Sequence, residues 1–105
     1  MNTELIISKL ENFIEDKNYL LLVHNWLNQL LKYNPRECIV EIFDDNVIIT
    51  WNKGDYYFSN DIYLNGYVSW FFRNRINDDA VEGLEFIFDE FHSFEFQRLI
   101  KIATE

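Results

Sequence analysis

The side chains able to do chemistry are few and scattered. Among 105 residues there are one cysteine, Cys38, and two histidines, His24 and His92. The histidines form neither a His-x-x-x-His nor a Glu-x-x-His pair, so no zinc or di-metal centre is expected and both read as surface histidines. Cys38 precedes Ile39 and Val40, a setting that suits a buried thiol better than a Cys–His nucleophile pair. One cysteine also excludes an intramolecular disulfide and a Cys-rich zinc site, in keeping with a reducing compartment. No Gly-x-Gly-x-x-Gly, Gly-x-Ser-x-Gly or phosphate loop occurs, and three glycines could not readily build one. Asp44-Asp45-Asn46 lacks the spacing and the later Glu of an EF-hand loop and reads as a turn. Carboxylates are abundant, yet nothing selects a catalytic pair of them. The expectation is a chain that is not an enzyme, with no cofactor and no metal.

What the carboxylates can do is attract. Asp and Glu number 18 against 9 Lys and Arg, a formal charge of −9. The first 36 residues are neutral, whereas residues 37–61 carry Glu37, Glu41, Asp44, Asp45, Asp55 and Asp61 against Lys53 alone. Arg73 and Arg75 interrupt the trend, and residues 76–97 then hold Asp78, Asp79, Glu82, Glu85, Asp89, Glu90 and Glu95 with no base. Such a surface repels nucleic acid, which needs a basic stripe, and draws in a basic protein. A merely solubilising surface is the bland alternative.

The elements that must carry this charge follow from periodicity. Ile6, Leu10, Phe13 and Ile14 place a helix over 4–14, with Asn2 or Thr3 as N-cap. Tyr19, Leu20, Val23, Trp26, Leu27, Leu30 and Leu31 place a second over 18–33, ended by Asn34-Pro35. β-branched and aromatic residues then predict strands over 38–43, 47–51, 56–64 and 67–73. Asn65-Gly66 reads as a two-residue type I′ turn, which sets Leu64 opposite Tyr67 and Asp61 opposite Trp70. Tyr63, Val68, Trp70 and Phe72 would share one face, and Phe58, Ile62, Leu64, Tyr67 and Phe71 the other. Residues 80–91 alternate like a strand and also fit a helix; their length and a capping box of Asp79 with Glu82 favour helix. A last helix covers 94–103, capped by Ser93. The class is α+β in one domain: a helical pair, a four-stranded antiparallel meander and C-terminal helices packed with the sheet. No apolar run approaches the roughly 20 residues of a membrane span, and Met1-Asn2-Thr3-Glu4 is unlike a signal peptide, so a cytoplasmic protein away from membranes is expected.

The sheet region also holds Trp51, Tyr56, Tyr57, Tyr63, Tyr67, Trp70, Phe71 and Phe72. An aromatic face rimmed by acids would bind a partner, and the alternative is a core closed on both faces by the terminal helices. The run Tyr67-Val68-Ser69-Trp70-Phe71-Phe72-Arg73-Asn74-Arg75, with the polar stretch Ile76–Gly83 after it, resembles small bacterial toxin-immunity proteins, in particular those of contact-dependent growth inhibition. The resemblance covers about 17 residues and transfers no individual binding residue. It implies an antitoxin that binds a basic toxin domain, commonly a nuclease, and blocks its nucleic-acid site. On this reading Asp44, Asp45, Asp55, Asp61, Asp78, Asp79, Glu82, Glu85, Asp89 and Glu90 supply the electrostatics, with Tyr63 and Trp70 as aromatic anchors. The alternative is an acidic nucleic-acid mimic that inhibits a DNA-binding enzyme.

Overall fold

Asn2 and Asp16 open the first two helices of the computed structural model, which describes residues 2–105. The Asn2 side chain accepts the Leu5 N–H at 3.0 Å and starts α1 (Thr3–Leu10). Asp16 accepts the N–H groups of Asn18 and Tyr19 and starts α2 (Lys17–Leu30). A short polar acceptor at this position satisfies donors that the first helical turn leaves unpaired. The expected stripe of α2 is buried at Tyr19, Val23, Trp26, Leu27 and Leu30. It ends at Leu30, short of the predicted 33, and the chain turns through 31–33 to Asn34, in the left-handed region at φ 49° just before Pro35. α1 is shorter than predicted: the chain leaves the helix after Leu10 and turns, which leaves Phe13 75% exposed.

Five strands follow: β1 (Ile39–Phe43), β2 (Asn46–Lys53), β3 (Tyr56–Ile62), β4 (Tyr67–Asn74) and β5 (Asp79–Phe86). Each pairs antiparallel with its neighbour in chain order, a simple meander. The fifth strand corrects the helix expected over 80–91. Alternation decides it: Val81, Gly83 and Glu85 face the helices, while Glu82 and Leu84 face away. Gly83, which weakens a helix by about 1 kcal/mol relative to Ala, is required here for space. A Cβ on it would lie 2.4 Å from Cζ2 of Trp70 on the adjacent strand. Asp79 is no helix cap; it pairs with Asn74 as the first rung of β4–β5.

The β3–β4 register also differs from expectation, by one residue. Tyr63 donates to the Tyr67 carbonyl and accepts from the Gly66 N–H, closing a three-residue loop, Leu64-Asn65-Gly66, with Gly66 at φ +90°. Only Gly66 of the Asn-Gly pair has positive φ, so the turn is followed by a glycine bulge and is not type I′. Phe58 therefore pairs with Phe72, Asn60 with Trp70 and Ile62 with Val68. A slip of one exchanges the faces, and Phe58 and Ile62 join Val68, Trp70 and Phe72 in the core, away from Tyr63.

α2 and α3 (Phe94–Thr104) cover that one face. Phe96 of α3 is the hub, with its ring 4.8–6.2 Å from those of Trp26, Tyr33, Phe58, Trp70 and His92. The Trp26 indole donates to the Asn60 side-chain oxygen at 2.8 Å in mid-sheet, and the Trp51 indole to the Ala103 carbonyl at 3.2 Å. The opposite face stays uncovered, with Phe43, Tyr63, Tyr67 and Leu84 exposed. No helix among the described residues is long and apolar enough to cross a membrane.

Candidate functional site

The meander sends its turns alternately to two ends, and the ends differ in charge. At one lie the β1–β2 turn Asp44-Asp45, the β3–β4 loop 63–66 and the segment that leaves β5, tied in by the Ile87 N–H to the Gly66 carbonyl at 2.9 Å. The α1–α2 connection arrives there as well. Phe13, Ile14, Glu15 and Asp16 line a cleft together with Tyr19, Ile42, Asp45, Asn46 and Leu64. This end thus gathers Glu15, Asp16, Asp44, Asp45, Asp89 and Glu90, with Asp61 one rung inward on β3. Lys17 adjoins Asp16 at the start of α2, whereas the nearest bases in the chain to Asp44 and Asp45 are Arg36 and Lys53, and to Asp89 and Glu90 it is Arg98. Between the acids stand exposed apolar side chains, Phe13, Phe43, Leu64 and Phe88, each more than 60% accessible.

Backbone and burial show that some of these acids are held against local preference. Asp44 and Asp45 both have positive φ, 50° and 66°, as a two-residue type I′ turn requires. Asn-Gly is the sequence that takes this conformation most readily. Two adjacent carboxylates add repulsion to strain. Asp61 has one carboxylate oxygen, Oδ1, enclosed and without a hydrogen-bond partner among the described residues. Burial raises its pKa above the ordinary carboxylate value, while hydrogen bonds with Tyr63 and Asn46 pull the other way. Beneath it the Tyr19 hydroxyl accepts the Val47 N–H at 2.6 Å and donates to the Ile62 carbonyl at 2.5 Å, closing the β2–β3 ladder. Burial foremost, against the Val47 bond and with the Asp61 charge adding, pushes this phenol up to about 12.

The other end carries Glu37, Asp55, Asp78 and Asp79 beside Arg36, Lys53, Arg73 and Arg75. Its charges balance and are used locally. The Arg73 guanidinium pairs with the Asp78 carboxylate at 2.5 Å, Arg75 lies 5.6 Å over the Tyr57 ring, and the Arg75 N–H meets the Asp55 carbonyl.

The expected site residues thus separate into groups. Asp44, Asp45, Asp61, Asp89, Glu90 and Tyr63 converge on the acidic end; Asp55, Asp78 and Asp79 belong to the balanced end; Glu82 projects from the middle of β5 on the open face. Trp70 and Glu85 are corrections. Trp70 is 2% exposed, in the core, because the true register turns it inward. Glu85 is 6% exposed and accepts hydrogen bonds from the Trp70 indole at 3.0 Å and from the N–H and hydroxyl of Ser93 at 2.6 and 2.8 Å. Ser93 in turn accepts the Phe96 N–H, so this carboxylate fastens β5 to the positive end of α3. His92 is buried too, not a surface residue: one ring nitrogen lies 2.8 Å from the Gln29 side-chain oxygen and the other 3.3 Å from the Tyr33 hydroxyl. Burial, then Lys32, lowers its pKa against the pull of Glu85, which suits a neutral structural imidazole. The Cys38 thiol is half-buried beside the Pro35 carbonyl, and burial raises its pKa, the reverse of an activated nucleophile. No group of three or more His, Cys, Asp or Glu among the described residues is placed to hold a metal.

Glu15, Asp16, Phe13 and Leu64 are the site residues that sequence reasoning missed. Asp16 was legible as a cap, being a short acid just before an apolar-periodic run. Its approach to Asp45 is a tertiary event that a neutral tally over residues 1–36 conceals. Comparison with protein-family models, curated proteins and solved structures returns no match.

Proposed function

We propose that this chain is a binding protein of the immunity type, which seats its acidic end on a basic toxin domain and blocks that domain's nucleic-acid site. The observation that carries the reading is the base-poor set of acids at one end of the sheet, two of them at left-handed positions, with exposed Phe and Leu between them. Acids alone would be consistent with solubility. Charge placed at a cost to the backbone and interleaved with apolar anchors suits an interface, where fields set the rate of encounter and buried apolar groups set its lifetime. Inhibition is steric and electrostatic, without catalysis, metal or cofactor. The nuclease assignment rests on the resemblance to immunity proteins, whose toxins are commonly nucleases, and the sign of the charge agrees with it, since a surface that binds nucleic acid is cationic.

The test is inhibition of the basic domain encoded in the reading frame beside this gene, assayed on nucleic acid with this protein titrated in. Stoichiometric loss of activity, with several unrelated DNA-binding enzymes unaffected, supports the reading. Inhibition of all of them alike would assign a nucleic-acid mimic instead. Failure to bind any neighbouring basic product would remove the proposal.

A further inference from the structure

We infer that β1 is a docking edge that takes an extended cationic segment of the partner as a sixth strand, with that segment's apolar side chains entering the groove between α1 and β1. The inference rests on the reading above and specifies how the partner is held. A two-residue hairpin loop is flanked by a hydrogen-bonded pair, here Phe43 with Asn46, and bonded pairs alternate from there. Phe43, Glu41 and Ile39 therefore spend their backbone groups on β2, and Val40 and Ile42 point theirs outward. No backbone bond among the described residues reaches either of them from outside the sheet.

The side chains of Val40 and Ile42 face the helix side and form the floor of a groove whose far wall is Ile6, Leu10 and Phe13 of α1 and its turn, with Lys9 as its one base. α1 packs on α2 and leaves this groove open. Edge strands are normally blunted by Lys, Pro or a bulge. β1 has none of these; its one charge is Glu41, it pairs without interruption over five residues, and it exposes Ile39, Ile42 and Phe43 by 51%, 40% and 66%. Charge selects the occupant. Glu37, Glu41, Asp44 and Asp45 lie within nine residues that hold no base, so a second copy pairing edge to edge would set acid against acid. A strand that alternates Lys or Arg with apolar residues satisfies the free backbone groups, the groove and the charge together.

Amide hydrogen exchange followed by NMR on the whole chain tests this, with an acetylated peptide that alternates Lys and Val as the probe. The same peptide N-methylated at alternate amides, so that one of its edges cannot pair, is the control. The expected result is slowing of exchange at Val40 and Ile42 by at least about tenfold with the first peptide and none with the second. Ile42→Pro removes an outward donor without touching a β1–β2 bond, and is expected to weaken binding of the basic neighbouring domain by about tenfold or more while far-UV circular dichroism stays unchanged. If Ile42→Pro unfolds, the methylated peptide decides alone. Peptide binding with both amides exchanging as in the free protein, or equal binding of the methylated peptide, overturns strand addition and leaves the acidic-end reading standing. Full partner affinity in folded Ile42→Pro does the same. Concentration-dependent protection of Val40 and Ile42 in the protein alone assigns the edge to a second copy and also overturns the inference.

Discussion

The two ends of the sheet are built from the same kinds of residue and use them differently. At the balanced end, bases are interleaved with the acids, and Asp78 both occupies a left-handed turn position, φ 59°, and pairs with Arg73. At the acidic end, Asp44 and Asp45 take the same kind of backbone without any ion pair among the described residues, and Asp61 is partly enclosed with an unpartnered oxygen. At the balanced end the Asp78 charge is paired within the fold; at the acidic end Asp16 caps α2, whereas Asp44, Asp45 and Asp61 have no such use. Stability given up at this surface turn, where an Asn-Gly pair would fit better, supports the proposal that Asp44 and Asp45 serve an interface.

The largest effect should come from Glu85, the buried acid of residues 76–97. Glu85→Ala strands three donors, from Trp70 and Ser93, and should destabilise the protein by about 2–4 kcal/mol in urea denaturation. Conversely, Asp44→Asn with Asp45→Gly should stabilise by about 1 kcal/mol; an unchanged or lower midpoint would break the contrast between the ends. Asp61 sharpens it through pH. Its folded pKa is raised from 3.8, so the stability it supplies is complete below that value and lost as pH rises through the folded pKa. Asp61→Asn should therefore raise the denaturation midpoint at pH 7 and lose that advantage below pH 3.8. The smallest effect belongs to the balanced end, where Arg73→Ala should change stability by about 0.5 kcal/mol or less, since its pair with Asp78 is exposed.

Much of the frame was legible in the sequence. The stripe of α2, the caps Asn2 and Ser93 and the first four strands all follow from period and residue type. β5 was not, because Leu84, Phe86 and Phe88 alternate as in a strand while Val81, Leu84, Ile87, Phe88 and Phe91 keep helical spacing, and the Trp70 ring over Gly83 shows which one packs. The β3–β4 faces were misread for a local reason: Asn65-Gly66 supports either a two-residue or a three-residue loop, and the choice of loop shifts every pairing by one. Of the acidic end, the turn carboxylates were visible as charge. Their separation from Asp55, Asp78 and Asp79 was not, because strand direction sends alternate turns to opposite ends. Glu85 was indistinguishable from its exposed neighbours until the register turned it inward.

The central claim is that the acidic end, not the total charge, recognises the basic partner. Its most direct test is the association rate of the neighbouring basic domain at low ionic strength with two neutralised proteins. One carries Asp44→Asn, Asp45→Asn, Asp89→Asn and Glu90→Gln; the other carries Asp55→Asn, Asp78→Asn and Asp79→Asn. Asn tolerates the left-handed positions in both. The acidic-end protein should associate about tenfold or more slowly, and the difference should shrink as salt rises; the balanced-end protein should stay within about threefold of the unaltered chain. Equal slowing in both, or greater slowing in the second, would contradict the account.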